Sequence, residues 1–116
     1  MIVKDEEARL RPCLESLRPL IGWWTISDTG SSDSTMDIIR EVLGDIPGEL
    51  IESPFVDMGH NRSEVFAAIR GKCQFFFASD ADMVWAVEDG FTPDPAVDAY
   101  TVELGGGGST WRLPLL

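Results

Sequence analysis

Two aspartates one residue apart, Asp80 and Asp82, follow the apolar run "FFFA" at residues 75–78. Strand side chains alternate between faces, but where a chain leaves a sheet both carboxylates can converge on one site beyond its end. Hard oxygen ligands of this kind suit Mg²⁺ or Mn²⁺, which keep positions open for substrate phosphates. A cation held there neutralises a diphosphate leaving group as charge builds on it. Two solvated loop acids are the plain alternative, so the surrounding residues must discriminate. "DTGSSDST" at 28–35 places Asp28 directly after an apolar run, with Gly30 permitting a tight turn and hydroxyls close by. An acid there can accept a hydrogen bond from a nucleobase or ribose; an ordinary capped loop is the alternative. "GHNRSEV" at 59–65 offers Asn61 and Arg62 at an expected helix start, where a guanidinium can meet phosphate or base. A solvated arginine is the alternative there. His60, the single histidine, reads as structural.

The elements that would position these residues alternate between strand and helix. "MIV" enters the loop "KDEE" as a first strand. Leu10, Cys13, Leu14, Leu17 and Ile21 fall at helical spacing, and Pro12 suits only the first turn, so that helix starts near residues 9–11. "WWTIS" (23–27) reads as a second strand, and Ser32 or Asp33 caps a helix carrying Met36, Ile39 and Leu43 that Gly44 stops. "ELIES" (49–53) reads as a third strand, residues 61–70 as a helix with Val65, Phe66 and Ile69 inward, and "CQFFFAS" (73–79) as a central strand. Beyond it, 86–97 reads as a proline-bearing loop, "AYTVEL" as a strand and "GGGGS" as a hairpin turn. Strands alternating with helices predict an α/β fold with a parallel, doubly wound sheet. Ligands bind such sheets at the carboxyl ends of strands, and "KDEE", "DTGSSD" and "SDAD" all fall at such ends.

Composition narrows the chemistry. The 116 residues fit at most one domain, and 44% hydrophobic residues can furnish its core. A net charge of −11 argues against nucleic acid and makes a divalent cation the expected partner for any phosphate. Cys13 and Cys73 form no metal-ligand spacing and are expected as buried free thiols. No apolar run reaches the roughly 20 residues of a membrane helix. Lys4, Asp5, Glu6 and Glu7 interrupt the N-terminus at once, so no signal peptide is visible and the expected compartment is the cytoplasm.

Taken in order, "MIVKDEEARLRPCLES", "WWTISDTGSSDSTMDII", "NRSEVFAAI" and "FFFASDADM" resemble the family 2 glycosyltransferases of GT-A fold, over residues 1 to about 83. The resemblance implies a Rossmann-like GT-A sheet, a nucleotide-sugar donor (most often a uridine diphosphate sugar), Mn²⁺ or Mg²⁺, and inverting transfer to an acceptor hydroxyl. By position, Val3, Asp5 and Glu6 match the first-strand end beside the base, and Asp28 the acid that contacts it. Ser31 and Asp33 continue that loop, and Arg62 matches the arginine ahead of the metal strand. Asp80 and Asp82 match the Asp-x-Asp, the first near the ribose and the last on the metal. Ser63 stands where the family often has Asn, and Met1 begins inside the first strand. The family's catalytic base lies well downstream in the acceptor half, past Leu116, and Glu88 and Asp89 lie too close to the metal motif to replace it. The chain therefore reads as a single partial domain, with residues 1–83 the nucleotide-sugar-binding part and 84–116 the start of the acceptor side.

Two alternatives stay open. A nucleotidyltransferase with a related sheet would also use aspartates and Mg²⁺, but it opens on a Gly-rich basic loop, and "KDEEARLR" has no glycine. A non-catalytic remnant would bind a nucleotide through Asp28, Arg62 and Asp82, or form a homo-oligomer through an exposed sheet edge.

Overall fold

The computed structural model describes residues 1–87, 89–92, 94, 96, 100–106 and 109–115. Three short strands, β1 (Ile2–Val3), β2 (Trp24–Asp28) and β3 (Gly48–Glu52), form a parallel sheet in the order β1-β2-β3. Val3 pairs with Asp28, and Asp28 with Glu52, so the carboxyl ends of all three strands lie level. β2 is central, and Thr25, Ile26, Ser27 and Asp28 are all buried, as expected of a strand covered on both faces.

Helix α1 (Leu10–Leu17) links β1 to β2, and α2 (Thr35–Leu43) links β2 to β3. In α1 the buried residues are Leu10, Cys13, Leu14 and Leu17; in α2 they are Thr35, Ile38, Ile39, Val42 and Leu43. Both sets follow the three-and-four spacing that makes one apolar stripe. The two stripes meet Val3 and Ile26 of the sheet in the main core, which Ala81 joins from the far end of the chain. Ile21 packs on this core only partly buried, because α1 ends at Leu17 and a 3₁₀ turn, Arg18–Leu20, follows. These two β–α units give a small α/β fold with a three-stranded parallel sheet, which is compatible with a Rossmann-like arrangement.

Helix α3 (Met58–Ile69) packs on β1 and β2 and starts three residues before the sequence predicts. Asp57 is the reason: its carboxylate accepts a hydrogen bond from the His60 amide at 2.8 Å. Val65 is buried and Ile69 half-buried as expected, but Phe66 is exposed, its ring 5.4 Å from that of Phe76.

The central strand expected at 73–79 is not formed; this segment carries no strand pairing. β1 is only two residues long, which leaves little ladder for a further parallel strand to join. The aromatic side chains pack on one another instead, with Phe77 edge-on to Trp85 at 5.0 Å. Cys73 is exposed here, whereas Cys13 is buried as expected. β4 (Tyr100–Gly106) and β5 (Ser109–Leu115) form an antiparallel hairpin; Gly105, Gly106 and Ser109, expected in the turn, are paired strand residues, and Gly107 and Gly108 lie outside the described residues.

Candidate functional site

The loops leaving β1 and β2 are tied together by side chain-to-backbone hydrogen bonds. Asp28 is 3% exposed, and its Oδ1 accepts from the amides of Gly30 (3.0 Å) and Ser31 (2.9 Å). Gly30 has φ of +107°, the backbone state this turn needs and few other residues adopt. Asp5, at φ +50°, occupies a left-handed state that aspartate tolerates better than most. Its amide donates to Ser31 Oγ (2.9 Å) and its carboxylate accepts from the Ser32 amide (2.8 Å). The Glu6 amide donates to Thr35 Oγ1 (2.9 Å), and the Thr35 hydroxyl donates in turn to Asp33. That hydroxyl holds the Asp33 carboxyl below the usual carboxylate range. Val3, Asp5, Glu6, Asp28, Ser31 and Asp33 thus form one continuous structure around the carboxyl ends of β1 and β2.

Three buried oxygens in the described residues lack a hydrogen-bond partner: Glu6 Oε2, Ser27 Oγ and Asp28 Oδ2. Glu6 Oε2 still lies 3.0 Å from Arg9 Nη2, an ion pair without hydrogen-bond geometry. Asp28 Oδ2 has no such neighbour. A buried carboxylate oxygen with no donor is costly, and positions of this kind concentrate where a ligand supplies what the protein withholds.

Asp80 and Asp82 do not join this cluster through any direct bond. Both are exposed, and neither carboxylate makes a hydrogen bond or ion pair among the described residues. Between them Ala81 is 5% exposed and inserted in the core. Arg62 is exposed on α3 and likewise without an ion pair among the described residues. A cavity of about 910 Å³, mostly apolar, lies between the sheet, α3 and the 75–85 segment, and its polar lining includes Lys4, Glu6, Thr29, Arg62 and Asp80. It reaches Val3 and Glu6 of the first group and Asp80 of the second. Asp89 is exposed, and Glu88 lies outside the described residues.

Among the described residues no three His, Cys, Asp or Glu converge as a closed metal cage. Asp80 and Asp82 offer carboxylates of the chemical kind that Mg²⁺ or Mn²⁺ takes, commonly one or two with phosphates and water completing the shell. No helix among the described residues is long and apolar enough to cross a membrane.

Thr35 and Thr29 were not singled out by sequence reasoning, yet Thr35 is fully buried between both loops and Thr29 Oγ1 donates to the Val3 carbonyl at 3.1 Å. The hydroxyl-rich "DTGSSDST" was the available signal, but it does not say which hydroxyls turn inward. No family model matches the chain, and no curated protein matches it.

Proposed function

We propose that the chain is the donor-binding region of a GT-A glycosyltransferase resembling family 2, which takes a uridine diphosphate sugar with Mn²⁺ or Mg²⁺. The observation that carries this reading is Asp28 Oδ2, a buried acceptor without a donor at the carboxyl edge of a parallel sheet. An imide N–H of a pyrimidine base would supply the missing hydrogen bond. Reaching it requires the Gly30–Ser32 turn to move, and Gly30 is the residue there with backbone freedom to allow it.

In this reading Asp82, with Asp80 beside it, holds the cation, and Arg62 offers its guanidinium to phosphate across the shared cavity. The bound cation would offset the negative charge that develops on the departing diphosphate. Asp5 and Glu6 shape the base-side wall, because their backbone amides are anchored on Ser31 and Thr35. Proton removal from the acceptor hydroxyl is assigned to no residue of this chain.

Calorimetric titration with uridine diphosphate, with and without Mn²⁺, tests the reading. Metal-dependent binding is expected, lost in Asp82→Ala and retained in Glu88→Ala. Equal loss in both variants, or no binding by the wild type, would overturn it.

A further inference from the structure

The turn bearing Asp80 and Asp82 is gripped by residues that the proposed function does not use. The backbone carbonyl of Asp80 receives the Met83 amide (3.2 Å), the Ser79 hydroxyl (3.1 Å) and the Cys13 thiol (3.4 Å). Ser79 is 5% exposed, and its Oγ accepts from Trp85 Nε1 at 2.7 Å. Indole nitrogen only donates, so the Ser79 proton is left free to point at the Asp80 carbonyl. Ser16 closes the circuit on α1: its Oγ accepts from the Trp85 amide (2.9 Å) and donates to the Cys13 carbonyl (2.7 Å).

We propose that Cys13, Ser79 and Trp85 are positioning residues that hold the Asp80–Asp82 turn against α1 so that both carboxylates project from a rigid base. This rests on the reading of Asp80 and Asp82 as the cation-holding pair. The geometry explains how two exposed acids on a segment outside the sheet can be held in one arrangement. Ala81 fixes the turn by apolar burial, and the hydrogen-bonded cluster fixes its rotation about that anchor. Partners one step removed from a metal's ligands orient those ligands, and losing one typically weakens metal binding about 10- to 100-fold.

The test uses the full chain and two independent readouts. The first is hydrogen exchange of the Met83 amide and the Trp85 indole N–H by NMR, with no ligand added. The second is Mn²⁺ binding, alone and with uridine diphosphate, followed by the electron paramagnetic resonance of free Mn²⁺. Both protons are expected to exchange slowly in the wild type and fast in Ser79→Ala. Ser79→Ala, Cys13→Ala and Trp85→Phe should each weaken Mn²⁺ binding about tenfold or more. Cys13→Ser, which keeps a donor, should restore it. Phe77→Leu, which loosens packing on Trp85 but removes no hydrogen bond, should lower the unfolding midpoint without that loss of affinity. Should Ser79→Ala fail to fold, Trp85→Phe and the Cys13 pair give the same comparison.

Fast exchange in the wild type, or unchanged Mn²⁺ affinity in the Cys13→Ala and Trp85→Phe variants, would overturn the positioning role. A wild type that shows slow exchange but binds no Mn²⁺ with uridine diphosphate would overturn the donor-site reading, and with it the cation-directed purpose of a turn that is nonetheless rigid.

Discussion

The two carboxylate oxygens of Asp28 differ in their surroundings, and substitution can separate them. Oδ1 holds the turn through the Gly30 and Ser31 amides, while Oδ2 is buried and unmet. Asp28→Asn can keep an oxygen on the two amides and replace Oδ2 by a donor, so near-native stability with loss of uridine diphosphate binding is expected. Asp28→Ala leaves both amides without an acceptor and should cost about 1–3 kcal/mol besides abolishing binding. Urea unfolding beside calorimetry checks both. Comparable destabilisation of the two variants would show that Oδ2 matters to the fold rather than to a ligand.

At the scale of elements, β2 and α2 are tied by Trp24. Its Nε1 donates to the carbonyls of Leu43 (3.2 Å) and Ile46 (2.8 Å), and its ring covers Gly48, the residue opposite it in β3. A Cβ on Gly48 would fall 2.3 Å from that ring. Gly48→Ala is therefore expected to destabilise by about 1–3 kcal/mol through overpacking, read from chemical denaturation. A neutral result would mean that Trp24 has room to move. Arg18 joins the end of α1 to the end of α2, donating to the Val42 carbonyl at 2.6 Å and to both oxygens of Asp45. The Arg18 hydrogen bond lowers the Asp45 pKa below its ordinary 3.8. A carboxylate whose folded pKa is depressed contributes stability above the unfolded pKa and loses it as pH falls through the folded value. The stability gap between wild type and Asp45→Asn should therefore be constant near neutrality and close below about pH 4. Unfolding midpoints from pH 7 to pH 2 would show this.

For the whole molecule, the proposed ligand acts through mass action on the native state alone. At a free concentration 100 times its Kd it should stabilise the fold by about 2.7 kcal/mol, visible as a raised Tm. The shift should need uridine diphosphate and Mn²⁺ together and vanish with chelator. With a net charge of −11, the chain has every electrostatic reason to take a diphosphate only through a cation. Equal shifts with and without metal would point to a nucleotide site that does not involve Asp82.

The α/β class and the two β–α units were legible in the sequence because they rest on short-range periodicity. The spacing of Leu10, Cys13, Leu14 and Leu17 and of Ile39 and Leu43 is a property of one helix each, readable without its neighbours, although Met36 of the expected second stripe is only half-buried and Ile38 and Val42 are buried with it. Asp28 and Gly30 were legible for the same reason, since an acid and a glycine after a strand define a turn within four residues. The segment 73–79 departs from the strand expected there because a run of phenylalanines has the composition of a buried strand, whereas pairing depends on a partner edge that β1 barely offers. The grip on Asp80 was invisible, since Cys13 and Ser79 lie 66 residues apart and the apolar stripe that contains Cys13 does not say which distant group its thiol meets. Sequence by itself determined that Asp5 and Glu6 follow β1 and that Asp28 ends β2, but it set Asp80 and Asp82 at the end of a strand that does not form. Only tertiary structure decided that Asp28 keeps one oxygen unmet and that α1 holds the Asp80–Asp82 turn, because hydrogen-bond satisfaction and burial are set by what distant segments bring into contact.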